Sequence, residues 1–106
     1  MDALSAKLLV KDLPNHPGVY QMRDRFGTII YIGKAKNIKK RVSQYFVGKR
    51  QYKAHLLVKQ IASITPIITK TEHEALLLEN ELIKRHQPRF NVLLKDDKTY
   101  PYIKIT

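Results

Sequence analysis

Two runs of largely apolar residues in the first half of the chain, separated by a short turn, predict a β-hairpin. The runs Val19 to Asp24 and Thr28 to Ala35 are rich in β-branched and aromatic residues, and Arg25-Phe26-Gly27 separates them. Gly27 can supply the positive φ that tight hairpin turns require. A further β-branched run, Ile64 to Thr71, predicts a third strand.

Apolar residues spaced three and four apart predict four helices. Their expected bounds are Ala6 to Asp12, Asn37 to about Phe46, Lys53 to Ala62 and Glu72 to about His86. Asn37 can cap the second helix, and Thr71-Glu72-His73-Glu74 has the pattern of a capping box. The remainder, Asn91 to Thr106, is expected to be extended or loop-like. One small, mostly antiparallel three-stranded sheet flanked by helices predicts a single α+β domain over residues 1–106.

The composition narrows the class of protein. Apolar residues make up 43% of the 106-residue chain and charged residues 27%, a balance typical of one small globular domain. The chain has no Cys, so thiolate metal ligands and cysteine nucleophiles are excluded. No secretory signal or bilayer-spanning run is visible, and we expect a cytoplasmic protein without membrane contact.

The charge is strongly positive and unevenly distributed. There are 20 Lys and Arg against 9 Asp and Glu, a formal net charge of +11. No acidic residue occurs from Arg25 to Thr71, a stretch with eleven Lys and Arg. Such a block favours binding to the phosphates of DNA, although a solvated surface is the simpler alternative.

Glu79 is placed unexpectedly on the predicted long helix. On a helical wheel it falls inside the apolar arc, which is formed by Ala75, Leu76, Leu78, Leu82 and Ile83. An inward carboxylate needs a cation, a metal ion, hydrogen-bond donors or a cleft. The pattern leaves open a functional site or a structural ion pair with Lys or Arg.

Two hairpin tyrosines form a second candidate group. With a regular two-residue turn, Tyr20 and Tyr31 are cross-strand neighbours whose phenol oxygens converge, although strand tyrosines more often serve packing. Lys34 and Arg41, followed one helical turn later by Tyr45, could line the same cleft, where cations would stabilise phosphoryl charge. The four histidines lack metal-ligand spacing.

Ordered motifs connect these residues to a known family. The chain contains Pro17-Gly18-Val19-Tyr20, Ile30-Tyr31-Ile32-Gly33-Lys34, Glu74-Ala75-Leu76-Leu77-Leu78-Glu79-Asn80 and Pro88-Arg89-Phe90-Asn91, and it ends in Thr99-Tyr100-Pro101-Tyr102-Ile103-Lys104-Ile105-Thr106. From about residue 13 to 106 it resembles the GIY-YIG nucleases, and specifically their UvrC branch, including short Cho-like homologues. The resemblance implies the GIY-YIG fold.

The same resemblance implies a metal-dependent DNA endonuclease that makes the 3′-side incision near a lesion in nucleotide excision repair. The implied catalytic residues are Tyr20, Tyr31, Lys34, Arg41, Tyr45, Glu79 and Asn91. Glu79 would hold one divalent cation, Mg²⁺ or Mn²⁺. The implied DNA contacts are Lys34, Lys36, Lys39, Lys40 and Arg41, and UvrB is the implied protein partner.

Tyr31 is the first candidate for the general base in this interpretation, with Tyr20 as the alternative, while Tyr45 would orient water or phosphate. Two other functions are possible from the residues. One is a non-catalytic basic DNA-binding module, in which Glu79 only forms an ion pair. The other is covalent catalysis, with Tyr20 or Tyr31 attacking phosphorus.

Overall fold

The computed structural model describes residues 3–47 and 52–95 as a three-stranded antiparallel sheet with helices on both faces. The strands are β1 (Gly18–Arg23), β2 (Ile29–Ala35) and β3 (Ser63–Ile68), in the order β2-β1-β3. The helices are α1 (Ala3–Lys11), α2 (Ile38–Ser43), α3 (Tyr52–Gln60), α4 (Glu72–His86) and α5 (Arg89–Lys95), and a 3₁₀ turn, Gln44–Phe46, follows α2. The predicted α+β class and three-stranded sheet are confirmed.

The hairpin turn between β1 and β2 is one residue longer than the sequence suggested. The Asp24 amide donates to the Thr28 carbonyl at 3.0 Å, and Asp24 Oδ1 accepts the amides of Phe26 and Thr28. Gly27 has a φ of 82°, as its position in the turn requires. Three residues therefore lie between the hydrogen-bonded pair Asp24 and Thr28, not two.

The register of the hairpin corrects the predicted pairing of its tyrosines. Arg23 pairs with Ile29 and Met22 with Tyr31, so Ile30 is an extra residue in β2. Together with the longer turn, this bulge places Tyr20 opposite Gly33 instead of Tyr31. The expectation that Tyr20 and Tyr31 are directly opposite is wrong, but they share one face as diagonal neighbours.

Capping interactions set where α2 and α4 begin. Asn37 Oδ1 accepts the Lys40 amide at 2.9 Å, and Thr71 Oγ1 accepts the Glu74 amide at 3.1 Å. In a capping box, the Glu74 side chain would accept the backbone amide of the N-cap residue Thr71. Here Glu74 Oε1 accepts the amide of Lys70, one residue earlier.

Two hydrophobic cores lie on opposite faces of the sheet. One face carries Tyr20 and Met22, which pack against α2, α3 and α5 through residues such as Val42, Leu57 and Phe90. The other face packs against α4, and its buried members are Val19, Ile32, Ala75 and Leu82. Leu76 was expected in the apolar arc of α4 but is 37% exposed, so the buried stripe is narrower than the wheel suggested.

The segment after α4 differs from its predicted extended form. Residues Arg89–Lys95 form α5, which begins directly after Pro88. Phe90 is buried in the first core and Asn91 bonds to β2, so tertiary contacts favour a helix that local pattern did not indicate. Residues 96–106, including the expected similarity at the end of the chain, lie outside the described residues. Among the helices described, none has the length and apolar character needed to cross a membrane.

Candidate active site

Side chains from α4 and α5 bind the outer edge of β2. Asn91 Oδ1 accepts the Ile32 amide at 2.8 Å, and Asn91 Nδ2 donates to the Ile32 carbonyl at 2.8 Å. Glu79 Oε2 accepts the Lys34 amide at 3.0 Å. Since β2 is an edge strand, these side chains satisfy backbone groups that a fourth strand would otherwise pair.

The Glu79 carboxylate is half-buried, as its position on the wheel predicted. Burial raises its pKa above the ordinary glutamate value, while the backbone amide and positive charge of Lys34 oppose that rise. The Lys34 ammonium pairs with Glu72 at 3.6 Å rather than with Glu79. Within residues 3–47 and 52–95 Glu79 forms no ion pair, so the structural alternative for this carboxylate has no support there.

Three tyrosine rings meet on the sheet face that carries Tyr20. The ring centroids of Tyr20, Tyr31 and Tyr45 are 6.1 to 6.3 Å apart, and two of the three pairs are edge-to-face. The Tyr20 and Tyr45 hydroxyl oxygens are 2.9 Å apart in a hydrogen bond. Tyr45 reaches this cluster because α2 tightens into the 3₁₀ turn that carries it.

Gly33 makes room for this cluster. It lies opposite Tyr20 in the hairpin, and the Tyr20 ring and hydroxyl cross directly over its Cα. A methyl group at position 33 would overlap the Tyr20 phenol. A glycine is therefore required by close approach here, not by backbone conformation.

Burial is the main reason that the pKa of each phenol is raised above the ordinary tyrosine value. For Tyr20 the neighbouring Tyr31 adds to the rise, and for Tyr31 both Tyr45 and Glu79 add to it. The pKa of Tyr45 is raised first by burial and then by the neighbouring Tyr20. The guanidinium of Arg41 lowers the pKa of all three phenols but does not outweigh burial. The phenols are consequently neutral at pH 7.

Arg41 is a cation that lies beside this cluster. Its guanidinium carbon lies 5.2 Å from the centre of the Tyr45 ring, and its Nη1 donates to Gln44 Oε1 at 3.1 Å. Burial lowers the pKa of Arg41, but Tyr20 and Tyr45 raise it by more, and the net change is upward. The arginine thus remains charged beside the phenols.

The predicted DNA-contact residues lie in three different places. Lys36, Lys40 and Arg41 line one open cavity of about 260 Å³, bordered by Ala35, Asn37 and Gln44. The Lys39 ammonium instead donates to the Lys11 carbonyl at 3.2 Å and joins α2 to α1. Lys34 lies on β2, paired with Glu72.

The carboxylate oxygens of Glu79 at the β2 edge are suitable ligands for a hydrated divalent cation. The part of the chain that the structure describes contains no cluster of three or more His, Cys, Asp or Glu that could hold a metal ion. Among the described residues, Glu79 Oε2 accepts the Lys34 amide, and no hydrogen bond of Glu79 Oε1 is seen. A carboxylate oxygen close enough to Tyr31 to raise its pKa suits Mg²⁺, which prefers oxygen ligands and retains several waters.

Two further polar residues belong to this site and were not predicted. Glu72 holds the Lys34 ammonium, and Gln44 holds the guanidinium of Arg41. Glu72 lies seven residues before Glu79, so a search for polar residues two helical turns from the candidate carboxylate would have found it. Gln44 lies three residues after Arg41, a spacing at which helical side chains meet.

Known proteins match both the sequence and the fold. Residues 16–92 match the family model described as a UvrC-like GIY-YIG domain. The UvrABC system protein C of Christiangramia forsetii is 54% identical over 97% of this chain, and that of Hydrogenovibrio crunogenus is 58% identical over 89%. The chain spans 17% and 16% of the length of these two relatives.

A solved structure is similar over nearly its full length. The magnesium-bound N-terminal GIY-YIG endonuclease domain of Thermotoga maritima UvrC has a TM-score of 0.74 and 30% identity, covering 85% of this chain and 98% of that one. Three Tyr-to-Phe variants and one Asn-to-Ala variant of that domain, each bound to its catalytic divalent cation, have TM-scores of 0.73 to 0.74.

The sheet, with the Glu79 carboxylate at its β2 edge and three phenols clustered on one face, defines an α+β domain homologous to an endonuclease domain. The chain belongs to the UvrC-like GIY-YIG domain family.

Proposed function

We propose that this domain is a divalent-cation-dependent DNA endonuclease that hydrolyses one phosphodiester bond. In nucleotide excision repair it would make the incision on the 3′ side of a lesion. The observation that carries this proposal is the half-buried Glu79 carboxylate, held by the Lys34 amide at the β2 edge near Tyr31 and free of an ion pair in the described chain. Its proposed catalytic residues are Tyr20, Tyr31, Lys34, Arg41, Tyr45, Glu79 and Asn91.

Glu79 is the proposed ligand of the cation, Mg²⁺ or Mn²⁺. When bound, the cation would neutralise phosphate charge and stabilise the leaving 3′ oxygen. The Lys34 amide fixes the carboxylate, and Asn91 fixes the backbone of β2 two residues earlier. In the Thermotoga domain, the cation is present in the Tyr and Asn variants too, which supports a site whose cation depends chiefly on its carboxylate.

Tyr31 is the proposed general base, with Tyr20 as the alternative and Tyr45 orienting water or phosphate. The phenol of Tyr31 has a pKa raised by burial, so it is neutral until nearby positive charge favours loss of its proton. Arg41 acts in this direction. A raised pKa makes the base form scarce at pH 7 but more basic once it forms.

Proton transfer to Tyr31 predicts a characteristic pH dependence. Below the phenol pKa the tyrosinate fraction grows tenfold per pH unit, so the cleavage rate should rise by about tenfold per unit between roughly pH 6 and 9. Tyr31→Phe should lower single-turnover cleavage by at least about 100-fold and abolish the slope. Near-normal cleavage by Tyr31→Phe would remove it as the base, and loss of the slope in Tyr20→Phe would then identify Tyr20.

DNA is the proposed substrate, and a UvrB-type protein is the proposed partner that delivers it. The net charge of +11 and the cavity lined by Lys36, Lys40 and Arg41 support contact with phosphates. Lys34 and Lys39 would contribute from beside it. The name UvrABC system protein C, carried by the relatives, supports the excision-repair context. A cytoplasmic location is proposed together with this context.

Cleavage of supercoiled plasmid tests the proposed function directly. Glu79→Gln should reduce nicking in Mg²⁺ or Mn²⁺ by at least about 100-fold, because removal of a charged ligand weakens the stabilisation of phosphate charge. Glu81→Gln is the matched control, since Glu81 is an exposed residue of the same helix paired with Arg85. Chelation with EDTA should stop nicking by the wild-type protein.

Two binding measurements distinguish the alternatives. Calorimetry should detect one Mn²⁺ per wild-type chain and none in Glu79→Gln, whereas DNA affinity in EDTA should be the same for both. If the wild-type protein binds DNA but neither takes up Mn²⁺ nor nicks, the domain is a non-catalytic DNA-binding module. Covalent tyrosine catalysis would be revealed by a protein-DNA adduct on a denaturing gel.

A further inference from the structure

The tip of the β1–β2 hairpin carries an aromatic side chain that the proposed active site does not use. Phe26 is 77% exposed, and nothing lies within 4 Å of where a Cβ would stand on Gly27 beside it. The Arg25 guanidinium carbon is 4.9 Å from the centre of the Phe26 ring. Phe26 therefore presents an aromatic surface to solvent with a cation over its ring.

A basic cavity adjoins this ring. It has a volume of about 400 Å³ and is lined by Phe26 and Arg25 from the turn, by Lys59 and Gln60 from the end of α3, and by Ile61 directly after it. Arg89 donates to Gln60 at the rim and lies over the Phe90 ring at 5.1 Å. Arg25 and Lys59 thus line the cavity with Phe26, and Arg89 is bonded to Gln60, another residue of its lining.

The acidic residue at this cavity is engaged by the turn. Asp24 Oδ1 accepts the amides of Phe26 and Thr28, at 2.9 and 3.1 Å. Its charge is shared with backbone donors that hold the hairpin tip in place. Arg25, Lys59 and Arg89 outnumber this one carboxylate, so the local charge is positive and complements an anionic partner.

We infer that the hairpin tip is a second nucleic-acid contact, at which an unpaired DNA base stacks on Phe26 while Arg25, Lys59 and Arg89 contact the flanking phosphates. Single-stranded nucleic acid is bound in this manner, with bases stacked on aromatic rings and the backbone in a positive groove. The base must be unpaired, because a base within a duplex is already stacked on its neighbours and has no free face for Phe26. The inference rests on the proposed function only in that DNA is the substrate.

The distance from the cluster of tyrosines allows one strand to contact both sites. Thr28 at the end of the turn is three residues before Tyr31, and one of these is the bulged Ile30, so the span is roughly 7 Å along the strand direction. That span equals about two nucleotides of stacked DNA. The tip would therefore hold the strand a few nucleotides from the bond to be cut and help to set where the cut falls.

Fluorescence at position 26 provides the test. The chain has no Trp, so Phe26→Trp introduces a single indole. We expect a short oligothymidylate, added in EDTA, to quench this indole as a base stacks on it. Leu77→Trp is the matched control on an exposed site of α4, and its emission should change little.

Affinity measurements complete the test. Phe26→Ala should bind the oligothymidylate about tenfold more weakly than wild type. Phe26→Tyr, which keeps an aromatic ring, and Leu77→Ala should both bind it with wild-type affinity. Because Phe26 is exposed, all three variants should keep the wild-type Tm. Unchanged affinity in Phe26→Ala together with an unquenched Phe26→Trp would overturn the inference.

These outcomes are independent of the proposed nuclease activity. Quenching of Phe26→Trp with no Mn²⁺ binding or nicking by the wild-type chain would retain the DNA contact and reject the nuclease. Metal-dependent nicking without any effect of substitutions at position 26 would retain the nuclease and reject the DNA contact at the hairpin tip.

Discussion

At the level of single residues, Glu79 has a side chain in surroundings that disfavour its charged form. Burial raises its folded-state pKa above the unfolded value, despite the Lys34 amide and charge. A raised pKa means that the folded state binds this proton more tightly, so the stability gained at low pH is lost as pH rises through the folded pKa. At pH 7 the ionised carboxylate therefore destabilises the fold.

Replacing Glu79 with Gln should consequently raise thermal stability near neutral pH. Glu79→Gln keeps an acceptor for the Lys34 amide but removes the charge, and we expect Tm to rise by a few degrees at pH 7. The difference should shrink as pH falls below about 4, near the ordinary glutamate pKa, where both proteins are neutral at this position. Scanning calorimetry at several pH values measures it, and a lower Tm at pH 7 would show that the Lys34 contacts outweigh burial.

Gly33 and Gly27 differ in why they are glycines, and substitution should separate the two reasons. Gly33→Ala should push the Tyr20 phenol aside, lower stability by about 1–3 kcal/mol and reduce cleavage, since it acts on the tyrosine cluster. Gly27→Ala should cost about 1–2 kcal/mol because of its φ of 82°, yet leave cleavage of the folded protein unchanged. Urea unfolding and single-turnover cleavage would check both variants, and equal losses of activity would contradict this distinction.

Among the elements, α5 depends on Asn91 for its attachment to the sheet. Asn91→Ala would leave the Ile32 amide and carbonyl without their partner. We expect a loss of about 1–3 kcal/mol. Hydrogen exchange should accelerate at the Ile32 amide, whereas Asn80→Ala, on an exposed position of α4, should change neither quantity. Unaltered exchange at Ile32 would mean that solvent or another group replaces Asn91.

Most helices and strands followed from local pattern, whereas α5 and the hairpin register did not. The capped starts of α2 and α4 were predictable because Asn37 and Thr71 bond to backbone groups only three residues away. The bulge at Ile30 and the helix around Asn91 depend on packing partners distant in sequence, such as the core that buries Ile30 and Phe90. Local periodicity carries no information about such partners.

The charge distribution of the domain as a unit predicts how it binds DNA. Changing both Lys36 and Lys40 to Ala should remove about two phosphate contacts from the cavity they share and lower the slope of log affinity against log salt by roughly two. Lys7 and Lys84 are exposed lysines elsewhere, and their double replacement should alter the slope less. Fluorescence anisotropy in EDTA over a salt series measures this, and equal slopes would mean that charge acts only through the net +11.

Local pattern and composition were enough to predict the α+β class, the inward Glu79 and the basic surface, because each depends on near neighbours in sequence or on summed charge. Tertiary structure decided which groups meet. Asn91, 59 residues from Ile32, completes the β2 edge, and the longer turn with its bulge puts Tyr20 over Gly33. Contacts of this kind arise from packing geometry, where one residue of register changes which side chains face each other.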